Sequence, residues 1–222
     1  MPPAAHVASV LAGIAVFALP LLIAVVFHEV AHGAVAYRLG DPTAARAGRL
    51  TLNPVAHLDP VGTVLLPGLL LAAPLLFGTR PVVFGWARPV PVDFARLRNP
   101  RRDTLLVALA GPGTNLLLAI VSALVLGWLP AHPAGGVLVP GLRLVAAASL
   151  SVNCVLAVFN LLPIPPLDGG RVLTALLPPA AARALQGADR VGLIVVLLVV
   201  LNTNLVAQLV RPLQGLLLRL TH

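Results

Sequence analysis

The architecture of this chain follows from the stretch Val7 to His32, VASVLAGIAVFALPLLIAVVFHEVAH. Its first 21 residues, Val7 to Phe27, are predominantly apolar, and about 20 such residues cross the hydrocarbon core of a bilayer as a helix. The run continues without a turn signal into His28, Glu29 and His32. Ionisable side chains in a membrane helix are costly unless they are paired or bind a metal. The stretch therefore predicts a membrane helix that carries a functional site.

The composition of the whole chain agrees with a membrane location. Of its 222 residues, 59% are hydrophobic and only 10% are charged, whereas soluble domains carry about 25% charged residues. This composition argues strongly against an ordinary soluble enzyme and against a disordered chain. All 15 basic residues are arginine, against seven acidic residues. The arginines form no long run, and no aromatic platform accompanies them. We therefore expect them to contact anionic lipid headgroups, and we expect no nucleic-acid partner.

Further apolar runs, separated by turn-rich loops, predict an all-α polytopic membrane protein with about five or six membrane segments. Besides the first run, the predicted spans are Asp103–Leu129, Gly141–Leu162 and Val191–Leu213, with a short helix at Arg171–Leu177. Short membrane-associated β segments are predicted at Arg49–Leu52, where apolar and polar residues alternate, and at Val82–Val92. We expect residues 1–222 to form one membrane-embedded domain.

The distribution of arginine predicts the orientation in the membrane. Residues Thr79–Arg102 carry six arginines, which places this loop in the cytoplasm under the positive-inside rule. Arg38, Arg46 and Arg49 place the preceding loop there as well. Both loops can be cytoplasmic only if Val61–Gly78 enters and leaves on the same side, so we expect this run to be re-entrant. The alternative, a full second span, leaves six arginines outside. The protein is thus predicted to be a multi-pass protein of the cell membrane.

The spacing of His28, Glu29 and His32 predicts a metal site. The predicted orientation places this site toward the cytoplasmic side. On a helix, positions i and i+4 share a face, so both imidazoles can bind one ion. Glu29 lies beside the first histidine and can act as a general base instead of a ligand. It is also the only glutamate in the chain. The alternative is a buried structural cluster without metal, which the cost of placing these groups in a membrane disfavours.

Two histidines do not complete a catalytic zinc site, which takes three protein ligands and keeps one position open. The candidates for the third ligand are His57, His132, Asp59, Asp103 and Asp168. Asp168 stands out because it follows a proline-rich break and precedes Gly169-Gly170, so its carboxylate can be exposed toward the metal. Its alternative role is to cap the short helix that follows. The local sequence gives these two roles equal weight.

Two motifs, taken together, indicate a family. One is His28-Glu29-Val30-Ala31-His32-Gly33 inside a membrane span, and the other is the downstream stretch FNLLPIPPLDGG at residues 159–170. They resemble the site-2 protease family of intramembrane zinc metalloproteases. The stretches Gly48–Pro54, Phe84–Pro91 and Ala110–Pro112 resemble its compact bacterial branch, which lacks PDZ and CBS domains. The resemblance covers residues 20 to 175 approximately.

The resemblance also implies roles for individual residues. In that family the two motif histidines and the aspartate of the Asp-Gly pair bind zinc, which assigns one Zn2+ per chain to His28, His32 and Asp168. The motif glutamate activates water, which assigns Glu29. The asparagine before the proline-rich stretch helps to hold the substrate, which points to Asn160.

The predicted function is hydrolysis of peptide bonds within or near transmembrane segments, with transmembrane proteins or signal-peptide remnants as substrates. A substrate helix must unwind before cleavage, because its amides bond internally. We expect the segment around Phe84 and Gly85 to bind the unwound chain by β-addition. The alternative function is that of a non-catalytic metal-binding membrane carrier or chaperone on the same fold. Glu29 disfavours this alternative, since a carrier gains little from a general base beside one site.

Overall fold

The computed structural model describes residues 3–65, 68–69, 87–130, 138–185, 187–201 and 203–219. These residues are mostly helical, and no β-strand occurs among them. The helices, in chain order, are α1 Pro3–Arg38, α2 Thr43–Arg46, α3 Pro100–Trp128, α4 Leu138–Asn160, α5 Asp168–Leu176, α6 Pro179–Leu185, α7 Asp189–Leu201 and α8 Thr203–Arg219. Shorter helical turns lie at Pro54–His57, Pro60–Leu65 and Phe94–Arg96.

Three helical segments in the described part of the chain are long and apolar enough to cross a membrane. They are Val16–Arg38 within α1, the whole of α3 and the whole of α4. Only 33% of the most apolar window of each is buried inside the protein. The outward side chains on α1 are large and apolar, including Phe17, Leu19, Ile23 and Phe27. These faces suit contact with lipid, which confirms the predicted class of helical membrane protein.

Helix α3 organises the bundle, because it contacts α1, α4, α5 and α8. Its interface with α4 is built from small residues. Ala119 and Ala123 on α3 form one buried cluster with Leu150 and Cys154 on α4. Small residues allow membrane helices to approach closely in the absence of a hydrophobic drive between them. Helix α1 also contacts α3 and α4, so the second half of α1 is enclosed on two sides.

Buried polar side chains link α3 and α4. Ser122 Oγ donates to Ser149 Oγ at 2.8 Å, and Asn153 Nδ2 donates to the Ser149 carbonyl at 2.9 Å. Asn115 Nδ2 donates to Asn153 Oδ1 at 3.0 Å. Each bond satisfies a group that has no access to water within a membrane. This series of bonds runs through the bundle and ends at Asn115, next to the helix that carries the histidine motif.

The predicted helices agree with the part of the structure that is described. The predicted spans Asp103–Leu129 and Gly141–Leu162 correspond to α3 and α4, and the predicted short helix begins three residues earlier, as α5. The span predicted over Val191–Leu213 is helical at 191–201, in α7, and at 203–213, in α8. Residue 202 lies outside the described residues, so a single span over this run stays a prediction. The expected total of five or six segments is not confirmed.

The predicted β segments are not confirmed either. At Arg49–Leu52 no strand forms, because the Arg49 amide donates back to the Ala44 carbonyl at 2.9 Å and so closes a turn. Of the segment Val82–Val92, residues 82–86 lie outside the described residues, and residues 87–92 carry no strand. Only residues 61–65 and 68–69 of the predicted re-entrant run are described, so its path stays a prediction.

The corner after α1 is fixed by the buried carboxylate of Asp41. Its Oδ1 accepts bonds from the amide of Thr43 at 3.0 Å and from the Thr43 hydroxyl. Its Oδ2 accepts a bond from the Asp93 amide at 2.7 Å. Burial alone would raise the pKa of Asp41, but the hydrogen bonds from Thr43 and Asp93 lower it below its usual value. The carboxylate thereby ties the end of α1 to the segment that leads into α3.

We predict that Asp41→Asn lowers the free energy of unfolding by about 1–3 kcal/mol at neutral pH. An amide nitrogen at the Oδ2 position faces the Asp93 N–H, so two donors oppose each other. Because the folded pKa is lowered, the carboxylate stabilises the protein above the unfolded pKa and loses this effect as the pH falls. The difference from wild type should therefore shrink below about pH 4. Thermal unfolding of both proteins in detergent, recorded over a range of pH, measures this difference in stability.

The control is Asp93→Asn, because the Asp93 carboxylate forms an exposed ion pair with Arg96 at 2.9 Å. Exposed pairs of this kind contribute at most about 1 kcal/mol. An Asp41→Asn variant as stable as wild type at neutral pH would contradict the proposed role of the Asp41 carboxylate.

Candidate metal centre

Three ligand atoms from distant parts of the chain meet inside the bundle. His28 Nε2 and His32 Nε2 are 3.0 Å apart, and each lies 3.2 Å from Asp168 Oδ2. A tetrahedral zinc ion with bonds of about 2.0–2.1 Å separates neighbouring ligand atoms by roughly 3.3 Å. Among the described residues, this is the one group of three or more His, Cys, Asp or Glu side chains close enough to share an ion. We call these three atoms the ligand triangle.

Hydrogen bonds on the outer nitrogens set the proton positions of both imidazoles. His28 Nδ1 lies 2.6 Å from Asn115 Oδ1, and His32 Nδ1 lies 2.7 Å from the carbonyl oxygen of Val107. The Asn115 amide is oriented by its donor nitrogen, which bonds to the Ala24 carbonyl at 3.2 Å. Both partners of the Nδ1 atoms are acceptors, so each Nδ1 carries the proton. Each Nε2 then presents a lone pair, which is the tautomer that binds metals.

With both imidazoles neutral, the ligand triangle holds two lone pairs and a carboxylate oxygen. Asp168 Oδ2 is buried and accepts no hydrogen bond from the described residues. Such a group in an apolar interior is strongly unfavourable unless a cation compensates it. Two imidazoles and one carboxylate, with room for a fourth ligand, form a donor set that suits zinc. The residues present thus fit the predicted ion.

Two glycines place Asp168 in the ligand triangle. A Cβ atom on Gly169 would collide with the carbonyl oxygens of Leu161 and Leu162, and one on Gly170 would lie 2.5 Å from the Pro165 nitrogen. Only glycines therefore allow the first turn of α5 to pack against the turn that precedes it. Asp168 is the first residue of α5, so this close packing determines the position of its carboxylate.

Another glycine makes room for the two imidazoles. A Cβ atom on Gly111 of α3 would lie 2.6 Å from His28 Nε2 and closer still to His32 Nε2. The absence of a side chain at this position lets α3 approach the histidine face of α1. Gly113, two residues later on the same helix, has no neighbour within 4 Å of the corresponding position.

Glu29 lies beside the ligand triangle and is not part of it. Its Oε2 accepts a hydrogen bond from the Val90 amide at 2.7 Å. Glu29 and the three ligand residues line one cavity of about 200 Å3. Asn160 lines the same cavity, with its side-chain amide donating to the Leu156 carbonyl at 3.0 Å. A carboxylate in this position can accept a proton next to a bound ion.

The segment that holds the Glu29 carboxylate is fixed by a buried arginine. The guanidinium of Arg49 donates to the carbonyl oxygens of Arg88 at 2.9 Å and Pro89 at 3.3 Å, and to a third carbonyl. Burial, and the charge of Arg88 nearby, lower the pKa of Arg49. Arg88 and Pro89 immediately precede Val90. Arg49 therefore positions the amide that holds the carboxylate.

The structure places the other candidates for the third ligand elsewhere. His57 is buried and its Nε2 lies 2.8 Å from the Thr51 carbonyl oxygen. Asp59 accepts bonds from the amides of residues 61 and 62, which begin the next helical turn. Asp103 is buried and accepts a bond from the Asn99 amide at the start of α3. Each of these side chains has a local structural role, in contrast to Asp168.

Three further residues from the sequence analysis, His132, Phe84 and Gly85, lie outside the described residues. A ligand role for His132 and substrate binding by Phe84 and Gly85 therefore stay predictions. His28, Glu29, His32, Asn160 and Asp168 are brought together around one cavity.

Sequence reasoning missed the groups that orient these side chains. Asn115 had a signal, because an amide side chain in an apolar span usually has a partner. Gly111 lies in a stretch that resembles the family, but its proximity to the imidazoles becomes apparent only when the helices are packed. Val107 and Val90 act through backbone atoms, which no side-chain pattern reveals. Arg49 was assigned to a strand and to the cytoplasmic loop, and its buried guanidinium was not foreseen.

Membrane-length helices that enclose two imidazoles and a carboxylate, with a separate carboxylate beside them, define the class of membrane-embedded metallopeptidase. Comparison with known proteins agrees with this class. Residues 131–200 match the model of peptidase family M50. The chain is 40% identical over 187 residues to YwhC of Bacillus subtilis, a protein named as a candidate zinc metalloprotease, and the match covers 80% of this chain and 76% of YwhC.

Two other relatives carry the name Rip2 and the same description as a candidate zinc metalloprotease. Identity is 32% over 192 residues to the protein of Mycolicibacterium smegmatis and 35% over 188 residues to that of Mycobacterium tuberculosis. Both matches cover 83% of this chain and 66% of the relative. No solved structure matches the chain. The chain belongs to peptidase family M50, the site-2 protease family of zinc metalloproteases.

We predict that Gly111→Ala lowers zinc affinity at least about tenfold, because the added methyl group displaces the imidazoles from the ligand triangle. Gly113→Ala is the matched control. It makes the same change on the same helix in open space, and alanine favours the helix at both positions. Zinc content after dialysis against a chelator, with helix content from circular dichroism, measures the effect. Equal zinc retention by both variants would contradict this account of Gly111.

Proposed function

We propose that this zinc metalloprotease hydrolyses peptide bonds within or near transmembrane segments of membrane-protein substrates, with one zinc ion held by His28, His32 and Asp168. Glu29 is the general base. The observation that carries the proposal is the ligand triangle, in which two imidazole Nε2 atoms and a carboxylate oxygen lie 3.0–3.2 Å apart. This arrangement is stable when it shares a cation.

His28, His32 and Asp168 would hold the zinc ion, which would supply a Lewis acid to polarise the peptide carbonyl and to lower the pKa of a water molecule toward about 7. The remaining steps belong to side chains of the protein. The bond from Val90 occupies one oxygen of the Glu29 carboxylate, so the other oxygen can take a proton from the attacking water. Glu29 then returns this proton to the nitrogen of the leaving amine. Water is thereby divided between the new carboxyl and amino ends.

Asn160 is suited to hold the substrate. It lines the cavity beside the ligand triangle, and its side-chain amide forms one hydrogen bond with the described residues, to the Leu156 carbonyl, which uses one of its two N–H groups. An asparagine side chain offers two donors and an accepting oxygen, so it retains groups for the backbone of an unwound substrate. Unwinding exposes backbone amides and carbonyls that need such partners in a membrane.

We further propose that the site lies toward the cytoplasmic side of the cell membrane. His32 lies six residues before Arg38 at the end of α1, a distance of roughly 9 Å along a helix. Its hydrogen-bond partner Val107 lies seven residues after Pro100 at the start of α3. Arginines concentrate at these two helix ends and in the loop between them, which supports a cytoplasmic location under the positive-inside rule.

The finer topology belongs to the same proposal. We expect residues 1–222 to act as one membrane-embedded domain with about five or six membrane segments, including the re-entrant run at 61–78. The contacts of α3 with α1, α4, α5 and α8 support a single unit. Transmembrane proteins or signal-peptide remnants are the proposed substrates.

We predict that Glu29→Gln retains one zinc ion per chain but cleaves a single-span test substrate at least about 100-fold more slowly than wild type. Glutamine keeps the size of the side chain and can still accept the Val90 bond, but it cannot take up a proton. The assay combines zinc content with cleavage in detergent. Asp59→Asn, which removes a carboxylate outside the cavity, is the control and should retain both.

The two functions considered for the chain give different results in this assay. Cleavage that survives in Glu29→Gln would refute the assignment of the base. Zinc binding without cleavage in wild type, for every single-span substrate tried, would favour the carrier or chaperone alternative.

A further inference from the structure

A second and larger cavity adjoins the metal centre. It has a volume of about 610 Å3 and lies between the first turn of α3 and the helices α5 and α6. Three residues, Phe94, Pro166 and Arg171, line both this cavity and the cavity of the ligand triangle. The two spaces are therefore neighbours with a common wall. We call the larger one the arginine cavity.

The lining of the arginine cavity carries one sign of charge. Arg101, Arg171 and Arg183 line it, and none of its described lining residues is acidic. Asp93 and Asp103 each precede a lining residue, but neither lines the cavity. The Asp93 carboxylate forms an ion pair with Arg96 at 2.9 Å, and the Asp103 carboxylate accepts a bond from the Asn99 amide at 2.8 Å. Three cations without a carboxylate among them create a positive potential, which attracts anionic groups.

Two of the three arginines contact other groups of the protein. The guanidinium of Arg171 lies over the ring of Phe94, with 4.9 Å from its central carbon to the ring centroid. Arg101 donates a hydrogen bond to the carbonyl of Leu177. Arg171 lines both cavities, so a chain that passes from the metal centre into the arginine cavity runs beside its guanidinium. Arginine in this setting binds carboxylates well, because its planar donors match their geometry.

We propose that the arginine cavity is a substrate subsite for acidic residues, Asp or Glu, that flank the bond to be cleaved. The inference rests on the proposed function. An unwound peptide can occupy the metal centre and continue into the neighbouring cavity, whereas a lipid headgroup bound in that cavity does not need to extend to the metal centre. The shared lining residues therefore favour a peptide occupant. The subsite selects substrates by the charge next to the cleavage point.

The test measures binding, so that it does not depend on cleavage. The protein is zinc-loaded Glu29→Gln in nanodiscs of phosphatidylcholine, which carry no net charge. Two fluorescent single-span peptides differ only in the flank, which is Asp-Glu-Asp in one and Asn-Gln-Asn in the other. We expect the acidic flank to bind about five- to tenfold more tightly, and the ratio of the two Kd values to decrease as salt is added.

Substitutions then locate the preference. In Glu29→Gln/Arg183→Gln the Kd ratio should fall to about twofold or less, whereas in Glu29→Gln/Arg46→Gln it should not change. Arg46 is an exposed arginine of α2 that lines neither cavity, so this control removes the same charge elsewhere. With Arg183→Glu in the Glu29→Gln background, a Lys-Arg-Lys flank should bind more tightly than the acidic one.

Three results would overturn the proposal. They are equal affinity for the acidic and neutral flanks, an unchanged Kd ratio in the Arg183 variant, and an equal effect of the Arg46 variant. If Arg183→Gln leaves the peptide ratio unchanged but weakens binding of phosphatidylglycerol added to the nanodiscs, the cavity is a lipid site and the proposal is wrong. Failure of wild type to cleave refutes the proposed function separately, because the Kd ratio is measured without cleavage.

Discussion

The structure depends on one electrostatic constraint, which is that two imidazole lone pairs and a carboxylate oxygen lie within 3.2 Å of one another inside a membrane bundle. Without a shared cation these groups repel, and the low polarity around them makes the repulsion strong. The outer nitrogens of His28 and His32 are committed to acceptors, so neither ring can relieve the repulsion by moving its proton to Nε2. Binding of a metal ion and correct packing of the helices are therefore coupled.

At a few positions the fold brings backbone atoms close to side chains or to other backbone atoms, and this close packing positions the residues of the ligand triangle. Gly111 lets α3 reach the histidine face of α1, and Gly169 and Gly170 let α5 start tightly against the preceding turn. On the opposite side, Arg49 fixes the segment whose Val90 amide holds the base. The carboxylate of Glu29, a residue of α1, thus bonds to the segment that contains Val90.

The sequence predicts the parts of this structure that depend on periodicity and composition. Apolar length predicts α1, α3 and α4, and the spacing of two histidines places both on one face of α1. Asp168 was selected by family resemblance, because the position of its carboxylate depends on the close packing of two glycines, which the local sequence does not reveal. Val107 and Val90 act through their backbones and could not be predicted.

The mechanism requires that His28, His32 and Asp168 together hold one zinc ion. X-ray absorption at the zinc edge of the purified protein measures this coordination. We expect one zinc ion per chain with only nitrogen and oxygen neighbours at about 2.0–2.2 Å, including two imidazoles, and loss of this signal in Asp168→Ala. A sulfur neighbour at about 2.3 Å, which in this chain would have to come from Cys154 or Met1, or an unchanged spectrum in Asp168→Ala, would contradict it.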